Sequence, residues 1–474
     1  MTRTILKKSL LASCISLSIA GFSSATLAGG YALVSNNKDS GKGSLRHAVE
    51  TKQAKKIFIL PSVDSVNLNS GLNYNAVKGL SIYGSGQTVK LDKNETLLSV
   101  NQGADLFISD LILEGKPGFF SIENRGDLNG ETAGKGIFVD LRDDQTGTVN
   151  MSLRNVTVKG FANHGIHISD CSLADACGAG AGGGGEGSPA SVSVSTINVI
   201  VEDVGNGKFD ADGLRVDDRG AGDIHFYSRK STFRNVGADG VELDEGNNGD
   251  IYIDVIKTNF TDNGAYCDPT VLEAFLPSAA EGEFELGEVT IEQIPGNVTG
   301  SPDDACFERE VSFYEDDSVE EYEFGIDLDD GIDLDEAGDG SIFSLMKRSV
   351  ISGNLDEGVD FDEAGNGGID SAFIKNTGTN NNDDAFKLSE EDEGDVQVIV
   401  VRTEAIDNGG EGFTFEEADE GNLDAVVLRT TSSGNKKSNK DGIEAVQEDE
   451  GTGSLRLIKS DIPDGLKLEG VDLL

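Results

Sequence analysis

DGIDLDEAGDG, Asp330 to Gly340, returns as EGVDFDEAGNG from Glu357, DAFKLSEEDEG from Asp384 and EGFTFEEADEG from Glu411, each 27 residues after the one before. DGIEAVQEDEG follows from Asp441 after 30 residues and a shorter DGLKLEG from Asp464 after 23. DGLRVDDRGAG from Asp212 and DGVELDEGNNG from Asp239 form an earlier pair, again 27 apart. KGIFVD from Lys135 and HGIHIS from His164 are weaker copies. A fixed period of this size marks a repeat architecture, in which each unit buries its apolar side chains against its neighbours.

With the first residue of each copy as offset zero, offsets two and four are apolar: Leu214 and Val216, Val241 and Leu243, Ile332 and Leu334, Val359 and Phe361, Phe413 and Phe415. Offset three is polar or charged (Arg215, Glu242, Asp333, Asp360, Lys387, Thr414), and that alternation predicts a short half-buried strand. Offset ten is glycine in all seven full copies, which predicts a turn with positive φ. A second strand opens at Ile224, Ile251, Ile342, Ile369, Val396 and Leu423 and closes at offset eighteen with Lys230, Lys257, Arg348, Lys375, Arg402, Arg429 and Lys459. An Asn/Gly turn follows, as at 262–264 and 407–409. Strand, turn, strand, turn, with no helical period, predicts one coil of an all-β, right-handed parallel β-helix.

In such a solenoid each offset becomes a row of side chains about 4.8 Å apart. Offset zero is then an acidic row of Asp239, Asp330, Glu357, Asp384 and Glu411. Offset five stacks Asp244, Asp335, Asp362 and Glu416, and offset six stacks Glu245, Glu336, Glu363, Glu390 and Glu417. Stacked carboxylates repel by about 1 kcal/mol per pair in water and several-fold more where water is partly excluded. Calcium, which takes six to eight oxygens in flexible geometry, is the expected compensator. The alternative is a solvated acidic face offset by the basic row at offset eighteen. Offset fifteen (Tyr227, Leu345, Ile399, Val426) predicts an outward apolar stripe.

Residues 1–28 have the layout of a secretory signal peptide: Arg3, Lys7 and Lys8, then an apolar run from Leu10 to Phe22, then Ala25 and Ala28. Its removal takes out Cys14 and leaves four cysteines. Their simplest pairing is local, Cys171 with Cys177 and Cys267 with Cys306, as suits an oxidising, periplasmic or extracellular location. The formal charge of −47 becomes −50 without those three cations, which argues against nucleic acid and anionic membrane as partners. No remaining apolar run is long enough to span a bilayer.

VSNNKDSGKGSLRHAVE, Val34 to Glu50, resembles the DSGxGSLRxAI segment near the start of many exported right-handed parallel β-helix proteins, where it precedes or caps the first coil. The resemblance implies a cap over 29–60 and irregular early coils from 61, with ADLFISDLILEG (104–115) among them. It implies little about activity, because that family holds polysaccharide lyases, hydrolases, adhesins and proteins without known activity. Two insertions interrupt the coils up to 264: a Gly-rich loop at 171–189 and a longer lobe at 265–329, before the regular acidic coils of 330–474.

The densest set of chemistry-bearing residues is His164, His167, Asp170, Asp212, Arg215, Asp217 and Asp218. Register puts His167 and Arg215 in one outward row beside the two aspartates, a group suited to acid/base work on a glycan. The pectin-hydrolase members of the resembled family carry NTD, DD, GHG and RIK in order, and here only Asp217-Asp218 and Asn163-His164-Gly165 are found, in the wrong order. The chain has no tryptophan. The leading expectation is therefore an exported acidic binding or structural protein, stabilised by calcium, that meets polysaccharide or a cell-surface protein. A carbohydrate-active enzyme at His167 and Arg215 is the second reading, and a self-associating surface element is the third.

Overall fold

A computed structural model describes residues 30–116, 133–170, 187–268, 280–284, 286–287, 289–294, 308–314, 318–325, 328–436, 442–448 and 451–474. The predicted signal peptide, Cys171, Cys177 and Cys306 lie outside them, and with the three cysteines both predicted disulfides.

The chain is a right-handed parallel β-helix with three strands per coil. The first side is a 12-stranded parallel sheet formed by offsets two to eight, as in Ile332–Gly338 and Val359–Gly365. The other two sides belong to one 22-stranded sheet, with longer strands such as Ile342–Lys347 and short ones such as Val350–Ser352. Register follows the 27-residue period without slippage: Ile332 pairs Val359, Asp335 pairs Asp362 and Glu336 pairs Glu363. The alternation of apolar and polar residues fixes this register, since a one-residue slip would turn every apolar side chain to water.

Inside, offsets two and four fill one wall of a single continuous core, with Ile224, Ile251, Ile342, Ile369, Val396 and Leu423 opposite. Volume is traded within the coil. Where the third side carries Phe233 and Phe260, stacked at 5.6 Å, the first side carries Leu, Val and Ile. Where the third side shrinks to Gly378 and Ala405, the space is taken by Phe361, Phe373, Phe386 and Phe413 in a file with centroid spacings of 6.1, 5.0 and 5.2 Å. Such trading holds packing density as composition varies from coil to coil.

The corners differ from the sequence expectation in two ways. The offset-ten glycines do not have positive φ. They are glycine because a Cβ at Gly340, Gly367, Gly394 or Gly421 would overlap the carbonyl oxygen of the preceding coil's glycine and the Oε1 of the offset-six glutamate. Positive φ falls instead on the basic row: Lys230, Lys257, Arg348, Lys375, Arg402, Arg429 and Lys459 all lie between 53° and 61°. These residues occupy the second corner, where a β-branched side chain would be strained. All seven are exposed, and no ion pair to a carboxylate is found for them among the described residues. They turn the chain and do not balance the acidic rows. At the third corner a buried asparagine file links coils through Nδ2 to Oδ1 bonds: Asn263 to Asn354 (3.0 Å), Asn354 to Asn381 (3.0 Å), Asn381 to Asn408 (3.2 Å) and Asn408 to Asn435 (2.9 Å).

The segment that carries the family resemblance is a knot of polar contacts. Arg46 pairs with Asp39 (3.0 Å) and Glu50 (2.8 Å) and donates to the carbonyls of Ser70 and Gly71, while Leu45, Ala48 and Val49 join the core. Part of the 265–329 insertion forms a three-stranded antiparallel sheet of Ala280–Glu283, Glu308–Phe313 and Val319–Gly325. Among the described residues no helix is long and apolar enough to cross a membrane.

Candidate functional site

The first sheet gathers both groups of candidate residues on its outward face and at its edge. At its N-terminal end His167 lies between Phe138 and Arg215 in register. Lys135 Nζ stands 2.6 Å from His167 Nδ1, and His167 Nε2 stands 2.5 Å from Asp217 Oδ2. The ammonium has only hydrogens to offer, so Nδ1 accepts and the ring is neutral with its proton on Nε2, directed at Asp217. Burial and the Lys135 charge push His167 down to about 4, despite Asp217. Arg215 donates to Asp217 Oδ1 (2.7 Å), Asp210 Oδ1 (2.9 Å), Glu242 Oε2 (2.6 Å) and Asp244 Oδ2 (2.7 Å). Asp217 is buried, yet Arg215 and His167 hold its carboxyl well below the usual range. His164 Nδ1 accepts from the Asp212 amide (2.9 Å) and its ring lies 4.5 Å from that of His167.

Five of the sequence candidates, His164, His167, Asp212, Arg215 and Asp217, thus meet, but as a closed network. His167 is 0% exposed and both its nitrogens are taken. Asp218 does not face this network; it stands at the head of the offset-six column, paired in register with Glu245. Lys135 and Phe138 belong to the cluster and were missed, although they are offsets zero and three of the weak copy KGIFVD.

The three acidic rows prove unlike one another. Offset zero spends oxygens on the backbone of the next coil: Asp212 Oδ1 accepts from the Asp239 amide (3.1 Å), Asp239 Oδ1 from that of Asp330 and Asp384 Oδ1 from that of Glu411. Offset five runs Asp217, Asp244, Asp335, Asp362, Ser389 and Glu416 along the outward face. Offset six turns inward at the corner, where Glu245, Glu336, Glu363, Glu390 and Glu417 are buried in file from Asp218 to Gln447. Neither carboxyl oxygen of Glu336, Glu363, Glu390 or Glu417 has a hydrogen-bond donor among the described residues. Neighbouring carboxyls reach one another instead: burial plus that proximity pushes Glu336 up to about 10 and Glu390 to about 9, while burial lifts Glu363 to about 7 although its contacts with Glu336 and Glu390 lower it.

Carboxylate oxygens also converge in four sets, each within 4.8 Å: Asp210, Asp212 and Glu242; Glu242, Asp333 and Asp335; Asp330, Asp356 and Glu357; Asp383, Asp384 and Glu411. All are hard oxygen donors drawn from two adjacent coils, a set that suits calcium. Offset three, which supplies Glu242 and Asp333, was not among the acidic rows read from sequence, because Arg215, Lys387 and Thr414 interrupt it.

The second sheet carries outward aromatic files that a low aromatic content does not suggest. Tyr31, Phe58 and Tyr83 stack at 6.5 and 4.9 Å, each pair 12° apart, and Tyr252 stacks on Phe343 at 5.0 Å. Phe58 is stacked on both sides by Tyr31 and Tyr83, and Tyr252 by His225 and Phe343, so the inner rings have no face left for stacking on a sugar.

Fold and rows together define the class, a parallel β-helix with columns of carboxylates along one side. No family model matches the sequence, and no curated protein matches it. Solved structures similar to it include the periplasmic alginate epimerase AlgG, with 10% identity, TM-score 0.39 and coverage of 89% of this chain and 77% of that one. Another is the A-module of the Azotobacter vinelandii mannuronan C-5 epimerase AlgE4 (12%, TM-score 0.37, 90% and 91%). A third is tailspike protein 2 of an Escherichia coli O157:H7 bacteriophage (11%, TM-score 0.39), of which the match covers 38% against 83% of this chain. At this distance the likeness is one of fold.

Proposed function

We propose that the chain is an exported acidic β-helix that serves as a binding or structural protein outside the cytoplasm, with calcium neutralising carboxylates of adjacent coils. The observation that carries this reading is the file Glu336, Glu363, Glu390 and Glu417, buried and without a hydrogen-bond donor on any of eight carboxyl oxygens. A buried carboxylate left bare costs several kcal/mol, so each must take a proton or share a cation. Extracellular calcium supplies the cation, and the apolar leader at 10–22 supports the compartment. Calorimetric titration of calcium into the chelator-stripped mature protein tests it: several equivalents of binding, with a melting temperature that rises with free calcium, are expected. No heat and equal responses to sodium and calcium would refute it.

One observation favours a second reading, a polysaccharide lyase or glycoside hydrolase. Lys135, His167, Asp217 and Arg215 form a continuous line of acid/base and charge-neutralising groups. Depolymerisation of a neutral or acidic glycan, abolished by His167→Ala, would establish it over the first.

A further inference from the structure

The outward row at offset three runs Arg215, Glu242, Asp333, Asp360, Lys387, Thr414, Glu444 and Lys467. Its three cations each neutralise an adjacent acid. Arg215 Nη1 is 2.6 Å from Glu242 Oε2, Lys387 Nζ is 2.8 Å from Asp360 Oδ2, and Lys467 Nζ contacts Glu444 Oε1. One acid is left over. Asp333 stands between Glu242 and Asp360, both already matched, and no hydrogen bond or ion pair reaches its carboxyl among the described residues.

Its surroundings deepen the deficit. Asp335, two residues on along the same face, has no such partner either, and oxygens of Glu242, Asp333 and Asp335 lie within 4.8 Å of one another. Asp244, which neighbours Asp335 in register, is 0% exposed and keeps Oδ1 without a hydrogen bond, its Oδ2 being held by Arg215 and, at 3.4 Å, by Arg219. Burial and the surrounding carboxylates push Asp333 and Asp335 well above the ordinary range. The covalent order matters as well. Glu242 and Asp244 precede the 265–329 insertion and Asp333 and Asp335 follow it, so this is the rung where successive coils are joined across 91 residues instead of 27.

We propose that Glu242, Asp333 and Asp335, with Asp244 Oδ1 beside them, bind one calcium ion that clasps the two coils flanking the insertion. The ion takes the place that Arg215 and Lys387 fill with side chains at other rungs. Three convergent carboxylates, with Asp244 adjacent in register and no nitrogen or sulfur donor in the set, select a hard divalent cation, and their spread over two strands and two coils suits the long, variable bonds of calcium better than the tight octahedron of magnesium. This inference rests on the calcium reading above and adds to it a particular site and a particular task.

The test uses the full mature chain, stripped with chelator, and calcium alone as probe. Asp333→Lys places at this rung the residue that occupies Lys387's position, and Asp333→Asn removes the charge with little change in shape. Both should bind one calcium fewer than the parent, and Asp333→Lys should in addition raise the melting temperature of the metal-free protein. If Asp333→Lys does not fold, the asparagine variant still reports the count. A parent that binds calcium while both variants keep the full number of equivalents overturns this site and leaves the wider reading intact. A parent that binds no calcium overturns both.

Discussion

Glu363→Gln, in the middle of the buried file, isolates the cost of a stacked carboxylate. Burial raises Glu363 from an ordinary 4.5 to about 7, and the side chain is 1% exposed. A shift of that size disfavours the charged form by about 3 kcal/mol. The sign is definite: the folded state holds the proton more tightly than the unfolded one, so metal-free stability is greatest below about 4.5 and falls as pH rises toward 7, then levels. Glutamine has the shape of the protonated acid, and Gln447 already fills this row in the last full coil. Urea unfolding in chelator should therefore find Glu363→Gln level with the parent near pH 4 and more stable by about 1–3 kcal/mol near pH 9. In saturating calcium the order should reverse, because the parent keeps an oxygen pair the variant has lost. An equal difference at both pH values, or a variant less stable than the parent at pH 9 in chelator, would refute the reasoning.

Gly367→Ala sets a Cβ against the Gly340 carbonyl oxygen and Glu363 Oε1, and should lower stability by about 3 kcal/mol or more, read from the urea midpoint at constant slope. Arg215→Met leaves Asp210, Asp217, Glu242 and Asp244 without their shared guanidinium and should cost about 3–5 kcal/mol in chelator. Lys387→Met frees Asp360 and opens a second rung without a built-in cation, so calorimetry should find one more calcium bound than in the parent. In chelator the same variant should melt lower.

Much of the fold is legible because the period is exact where it matters. Offsets two and four alternate with polar residues in nearly every copy, and that alone gives strand, register and inward face. The Phe file is legible only in part, since nothing in one coil's sequence tells that Gly378 leaves room for Phe386. The corners are where the pattern fails. Alternation predicts that offset six points inward if the strand continues and says nothing once the chain turns, so a buried Glu336 cannot be told from a solvated one by sequence. The glycine at offset ten looks like a turn residue and is in fact a steric gap for Glu363 and its equivalents. The basic row looks like a counter-charge and sits at a left-handed corner, away from the acids. At the histidine coil, register brings His167 to Arg215 as expected, while Lys135 is brought in by a copy too degenerate to align with assurance. The Tyr252–Phe343 stack of the second sheet escapes notice because its members are 91 residues apart.

Anomalous diffraction from crystals of the mature protein grown in calcium tests the central claim most directly. The account predicts ordered cations between carboxylates of adjacent coils, with one enclosed by Glu242, Asp333 and Asp335 and absent from Asp333→Lys. Acidic rows holding only water and protons at saturating calcium would contradict it.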